Sequence, residues 1–302
     1  MAAMLQQTLS RLCNNDPSLT SLNLARKSIG EGGGVAVGGA LKSNSILTSL
    51  DLANNSLEEG SGVVMAEALK SNSTLTFLDV GWNLLRERGG VALAEALQSN
   101  STLIDLNLAG NSLGKTGGVA LAEALQLNST LIDLNLAGNS LGEGGVALAE
   151  ALKSNSTITS LNLGYNSLGE GEGMALAEAL KLNSVLTLLW VSDNSLGETG
   201  GVALAEALKS NSALISLGLH NNSLGEKCGV VLAEALKSNS TLTFLDLSVD
   251  DEILQPSVNH DIERNKHNEP CRTCTLFALL LPMLKECSQS FPGKNNEKLL
   301  KI

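Results

Sequence analysis

Residues 99–126 read SNSTLIDLNLAGNSLGKTGGVALAEALQ, and 28 residues later the chain says almost the same thing again. Copies of this unit start at Leu19, Leu47, Leu75, Leu103, Leu131, Ile158, Leu186, Leu214 and Leu242. Every step is 28 residues except the one from Leu131 to Ile158, which is 27. A period of this length constrains the fold more than any other property of the chain. One unit cannot bury its own apolar face, so the copies must stack into a solenoid.

Within a unit, Leu103, Leu106 and Leu108 form L-x-x-L-x-L, which predicts a short strand with inward leucines. Asn111 and Leu113 follow. A glycine-rich turn is expected over 114–118, then a helix over 119–125 built from Val, Ala, Leu and Glu. Asn100 is expected to end the helical segment in the left-handed conformation that Asn tolerates. Stacked strands lie about 4.8 Å apart and helices about 8–10 Å apart. The helical side must therefore fan out. The expected fold class is α/β: a horseshoe with a parallel sheet on the concave face and helices on the convex face.

The column Asn55, Asn83, Asn111, Asn139, Asn166, Asn194, Asn222 recurs where the chain leaves each strand. A buried amide there can bond the backbone on both sides of a turn that water cannot reach, so the column reads as a structural ladder. Lys27 occupies this position in the first repeat and Asp250 in the ninth.

L-x-x-L-x-L-x-x-N-x-L followed by a helix at a 28-residue period resembles the leucine-rich repeat, ribonuclease-inhibitor subtype. The resemblance runs from about Leu19 to Leu247. It implies a relationship to the repeat regions of NOD-like receptors, to Ran GTPase-activating protein and to ribonuclease inhibitor. It says much about the fold and little about function.

Three segments follow: an N-terminal cap over 1–18, repeats over 19–250, and a C-terminal cap and tail over 251–302. Leu5, Leu9 and Leu12 share one helical face in the first. In the last, 251–270 is polar and expected to be a loose loop. Leu276, Phe277, Leu280 and Leu284 form an apolar stripe suited to covering the final repeat.

The net charge of −11 disfavours nucleic acid and anionic membrane and favours a basic protein partner. Residues 251–302 hold seven acids and seven Lys or Arg, so the excess lies within 1–250. No apolar run reaches membrane length. The N-terminus has no basic region followed by an apolar core, and five scattered cysteines do not form a secreted framework. A cytoplasmic protein with reduced thiols is expected. Sequons at Asn72, Asn100, Asn128, Asn155 and Asn239 then read as a by-product of duplication.

No cofactor, catalytic residue or metal site is assigned. Gly114-Lys115-Thr116 lacks the glycine a phosphate loop needs five positions earlier, where Ala109 stands. Cys271-x-x-Cys274 with Cys287, His260 and His267 fits no strong zinc spacing. Glu95, Glu123, Glu150 and Glu178 repeat one helical position and read as a solvated convex face.

Variation concentrates on the strands. Residues flanking the inward leucines point away from the core. One outward column ends in Trp190, Gly218 and Asp246. Its neighbour holds Phe77, Asp105, Asp133, Leu188, Ser216 and Phe244. Trp82 and Tyr165 precede ladder asparagines, and His220 is the one histidine within the repeats. Exposed aromatics in a chain with 2% aromatic residues suggest contact hot spots. The expected partner-binding set is Trp190, Leu188, Phe77, Trp82, Asp105, Asp133, Tyr165, His220 and Phe244, with Trp190 left uncovered by Ser216 and Gly218. The leading reading is a non-catalytic protein-interaction scaffold. The alternatives are a GTPase activator, for which Arg26, Arg86 and Arg88 are the rim arginines, and the sensing repeats of a NOD-like receptor. The oligomeric state is left open.

Overall fold

The computed structural model describes residues 2–247 and 255–268. Its strands are β1 (Ser21–Asn23), β2 (Ser49–Asp51), β3 (Phe77–Asp79), β4 (Asp105–Asn107), β5 (Asp133–Asn135), β6 (Ser160–Asn162), β7 (Leu188–Trp190), β8 (Ser216–Gly218) and β9 (Phe244–Asp246). They form one parallel sheet in sequence order. Its helices are α1 (Ala2–Cys13), α2 (Gly30–Leu41), α3 (Glu59–Leu69), α4 (Arg86–Leu97), α5 (Gly114–Leu127), α6 (Gly144–Leu152), α7 (Glu170–Leu182), α8 (Gly197–Leu208), α9 (Gly225–Ser238) and α10 (Gln255–Asn268). This is a leucine-rich-repeat solenoid of the α/β class.

The central leucines stand in register from Leu22 through Leu134 and Leu189 to Leu245. Behind them, the leucines and alanines of each helix complete one continuous core. The strands are only three residues long because each contributes a single inward side chain before the chain must turn.

The glycines expected in a turn lie mostly inside the helices. A Cβ added to Gly62 would come 2.9 Å from the Gly89 Cα, and one on Gly173 would come 2.8 Å from the Gly200 Cα. These glycines let successive helices touch backbone to backbone at their N-terminal ends. The one-residue deletion in the fifth unit shortens α6 to nine residues.

Two asparagine columns hold the turns. Asn111 Nδ2 donates to the carbonyls of Val80, Leu108 and Ala109 at 2.9–3.1 Å. Oδ1 of Asn139 accepts from the backbone N–H groups of Asn111 and Leu113. One amide thus satisfies two repeats. At the first repeat, Asn55 Oδ1 accepts from the N–H groups of Lys27 and Ile29.

The second column was expected only to end helices. Asn100 Nδ2 donates to the carbonyls of Leu69 and Asn72, while its Oδ1 accepts from the N–H groups of Thr102 and Leu103. The left-handed expectation fails here: Asn128 has φ −74° and ψ 131°, an extended conformation that aims the amide at the preceding repeat. The sequon asparagines Asn72, Asn100, Asn128, Asn155 and Asn239 belong to this column and are buried.

The loose loop expected over 251–270 is corrected, because residues 255–268 form α10. Val258, Ile262 and Asn265 are buried against the last repeat. Arg264 Nη2 donates to the carbonyls of Leu236 and Asn239, and Asn265 Nδ2 donates to those of Asn239 and Leu242. The carbonyls of Leu236 and Asn239 stand where those of Leu208 and Asn211 accept from Asn239 one repeat earlier. The helix therefore supplies the donors that a tenth repeat would have supplied. At the other end, Asn44 Nδ2 donates to the Leu12 carbonyl of α1. The stripe from Leu276 to Leu284, Asp250, and the cysteines at 271, 274 and 287 lie outside the described residues.

Candidate functional site: the concave sheet face

Outward strand positions make up the inner face of the curve. Five are aspartates (Asp51, Asp79, Asp105, Asp133 and Asp246), and the nine strands contain no Lys or Arg. The cations instead pair along the helices, where Lys153, Lys181, Lys209 and Lys237 each bond a Glu three residues earlier. Glu95, Glu123, Glu150 and Glu178 are exposed there.

The structure brings the sequence-derived candidates into two groups. In the first, Phe77, Asp105 and Asp133 lie side by side in register on β3, β4 and β5. All three are half-buried. Burial, reinforced by the neighbouring charges of Asp133 and Asp79, pushes the Asp105 carboxyl up to about 7. Burial also raises Asp133, although a hydrogen bond from Ser160 opposes the shift. Asp79 accepts from Asn107 Nδ2 at 3.0 Å and from its own turn at Gly81.

In the second group, Leu188, Ser216 and Phe244 share one register line, and Trp190, Gly218 and Asp246 share the next. The indole of Trp190 leans across β8 to Phe244, with ring centroids 5.7 Å apart and planes tilted by 46°. A Cβ on Gly218 would sit 2.3 Å from its Cε3. The expectation that Ser216 and Gly218 leave the ring uncovered is therefore corrected. The missing side chain of Gly218 makes the hollow that the indole fills, and Trp190 is half-buried. Leu188, expected to meet a partner, is buried at 9% exposure. His220 stands close enough to Asp246 to pull its carboxyl down, but burial dominates and the net shift is upward.

Trp82 and Tyr165 join neither group. They occupy the rim, where the residue before each ladder position is left-handed, from Arg26 at φ 58° to Asn221 at φ 53°. Glycine takes this conformation without strain at Gly110 and Gly138, whereas a bulky side chain there costs on the order of 1 kcal/mol. Tyr165 is 44% exposed. Trp82 covers Gly110 and borders a hollow of about 370 Å³ lined by Asn54, Ser56, Trp82, Asn83, Leu84 and Gly110. Sequence reasoning missed Leu84, which stands where seven sibling repeats have serine.

Among the described residues, no group of His, Cys, Asp and Glu could hold a metal ion, and no helix is long and apolar enough to cross a membrane. Cys228 is buried, which pushes its thiol up to about 12.

Residues 2–112 match the family model for the tropomodulin and leiomodin leucine-rich domain, and residues 154–177 match a leucine-rich-repeat model. A search of the curated proteins found no match. Among similar solved structures is a tropomodulin C-terminal domain from Caenorhabditis elegans. It is 17% identical over 57% of this chain and 98% of that one, with a TM-score of 0.45. Another is leiomodin-1 actin-binding site 2, 16% identical over 95% of this chain and 98% of that one, with a TM-score of 0.27. Repeat architecture and both model matches agree that the chain carries leucine-rich repeats.

Proposed function

We propose that the protein is a non-catalytic scaffold whose concave sheet face binds a basic protein partner. The observation that carries this reading is the one-signed inner face: five strand aspartates, no strand cation, and an aromatic pair that begins with Trp190 two strands beyond the Asp133 carboxyl. Strands spaced about 4.8 Å apart put β5 and β7 about 10 Å from each other. A partner could place a cation over Asp105 and Asp133 and an apolar side chain against Trp190 and Phe244 at the same time. Opposite charge would speed and orient the encounter, and the apolar contact would hold it.

Affinity capture tests the reading with the wild-type chain, an Asp105→Asn/Asp133→Asn variant, and a convex control, Glu95→Gln/Glu123→Gln. Partners kept by the control and lost by the concave variant support it. Equal capture by all three ends it. Actin is the first named partner to try, since residues 2–112 match the tropomodulin and leiomodin domain model and leiomodin-1 carries an actin-binding site. Cosedimentation with filaments and mobility of monomeric actin in the same three proteins decide that choice.

A further inference from the structure

The near-identity of the repeats provides an internal control. Where one repeat departs from its siblings, the scaffold itself did not require the change. Departures concentrate at the rim of the third repeat. Among the seven siblings before the ninth unit, Trp82 stands where two have glycine, Leu84 where all have serine, and Arg86 where six have glycine from Gly30 to Gly225. Arg88 stands in a column of Gly, Thr and Lys. Two of these residues hold backbone conformations suited to glycine: Trp82 has φ 57° and Arg86 has φ 51°. The scaffold imposes both. The Arg86 N–H donates to the Asn111 carbonyl just as Gly114 N–H donates to that of Asn139. The bulky side chains are therefore kept against local preference.

What they create is a mixed surface. Leu84 is 44% exposed beside the 370 Å³ hollow that Trp82 walls. Arg86 and Arg88 are exposed, and neither is in an ion pair among the described residues. Lys115 on the next repeat is already tied to Glu143. Glu58, one repeat back in the column of Arg86, makes no ion pair with it. Two uncommitted guanidinium groups next to a mixed hollow, with Trp82 and Leu84 on one side and Asn54, Ser56 and Asn83 on the other, suit a carboxylate that arrives with an apolar side chain.

We infer that the rim of the third repeat is a second docking site, for an acidic peptide segment that inserts an apolar side chain beside Trp82 and Leu84. It is independent of the concave face and selects the opposite charge.

The test uses a labelled, acetylated peptide of alternating glutamate and leucine, and its lysine counterpart, against the full chain. Two variants restore sibling residues: Arg86→Gly/Arg88→Thr and Trp82→Gly/Leu84→Ser. Both should fold, since the same backbone carries those residues elsewhere. The glutamate peptide is expected to lose roughly tenfold in affinity with each variant, whereas the lysine peptide, which the concave aspartates would take, keeps its affinity in both. The melting temperature should hold or rise in both variants. Asp105→Asn, on the concave face, should leave binding of the glutamate peptide unchanged. Equal losses for the two peptides in the variants, undiminished binding of the glutamate peptide by the variants, or no binding of that peptide at about 1 mM overturns the site. So does a melting temperature that falls in both variants, which would assign these side chains to packing.

Discussion

Replacing Asp105 with Asn should make the protein more stable at alkaline pH and flatten its pH dependence. The Asp105 carboxyl has an ordinary value of 3.8 and sits at about 7 in the folded chain, because burial and then Asp133 and Asp79 oppose its charge. Between those values the native state keeps a proton that the unfolded chain has released. Stability therefore falls as pH rises from about 4 to about 7, then levels off. One pKa unit corresponds to about 1.4 kcal/mol, so roughly three units set a ceiling near 4 kcal/mol. The concave face is open to water, which screens the charges and brings the expected loss down to about 1–2 kcal/mol. Asp133 and Asp246 act in the same direction. The carboxylates lowered by partners, such as Asp16 at about 2, lose their contribution only as pH falls below the usual carboxylate range. Urea unfolding of both proteins at half-unit steps from about pH 5 to about pH 8 measures the difference. Asp105→Asn should gain on wild type up to about pH 7 and hold that gain above it. Parallel curves would refute the reasoning, because they would mean that water reaches Asp105 and it titrates normally.

Three further outcomes follow. Asn111→Leu should destabilise by about 1–3 kcal/mol, since backbone groups of two repeats lose their partner, whereas Glu123→Gln on the exposed face should be nearly neutral. Equal thermal shifts would contradict the ladder geometry. Arg264→Ala/Asn265→Ala should lower the melting temperature and raise hydrogen exchange first in α9, because the carbonyls of Leu236, Asn239 and Leu242 lose their donors; exchange that is unchanged in α9 would show that α10 does not close the stack. Trp190→Ala should cost about 1 kcal/mol of stability as well as affinity, because the ring packs on Phe244 and Gly218. A thermal melt identical to wild type would show that this packing contributes nothing.

The period alone made the sheet, its register and the Asn111 column legible, because a 28-residue repeat leaves one way to stack L-x-x-L-x-L strands. The second column was misread as a helix stop. Its asparagines look like ordinary polar termini, and only the stacked geometry shows Asn100 reaching the repeat before it. The cap helix was hidden by its polarity, although Val258, Ile262 and Asn265 are spaced by four and three residues, which is a helical stripe. An asparagine buried at the end of that stripe does not register as apolar. On the site, sequence columns placed Asp105 beside Asp133 correctly. They could not show that Gly218 is an emptied position into which Trp190 leans, because that depends on a side-chain rotamer crossing a strand. The rim was half legible: Trp82 stood out as an aromatic, whereas the backbone conformation that makes Trp82 and Arg86 unusual appears only in three dimensions.

The central claim is that binding takes place on the concave sheet. Hydroxyl-radical footprinting of the full chain with and without its captured partner tests it most directly, since modification reports side-chain exposure residue by residue. Protection is expected on Phe77, Trp190 and Phe244, while Leu127 and Leu182 on the outer helices, each 67% exposed, keep their reactivity. Protection of Leu127 and Leu182 with Phe77, Trp190 and Phe244 unchanged would contradict it.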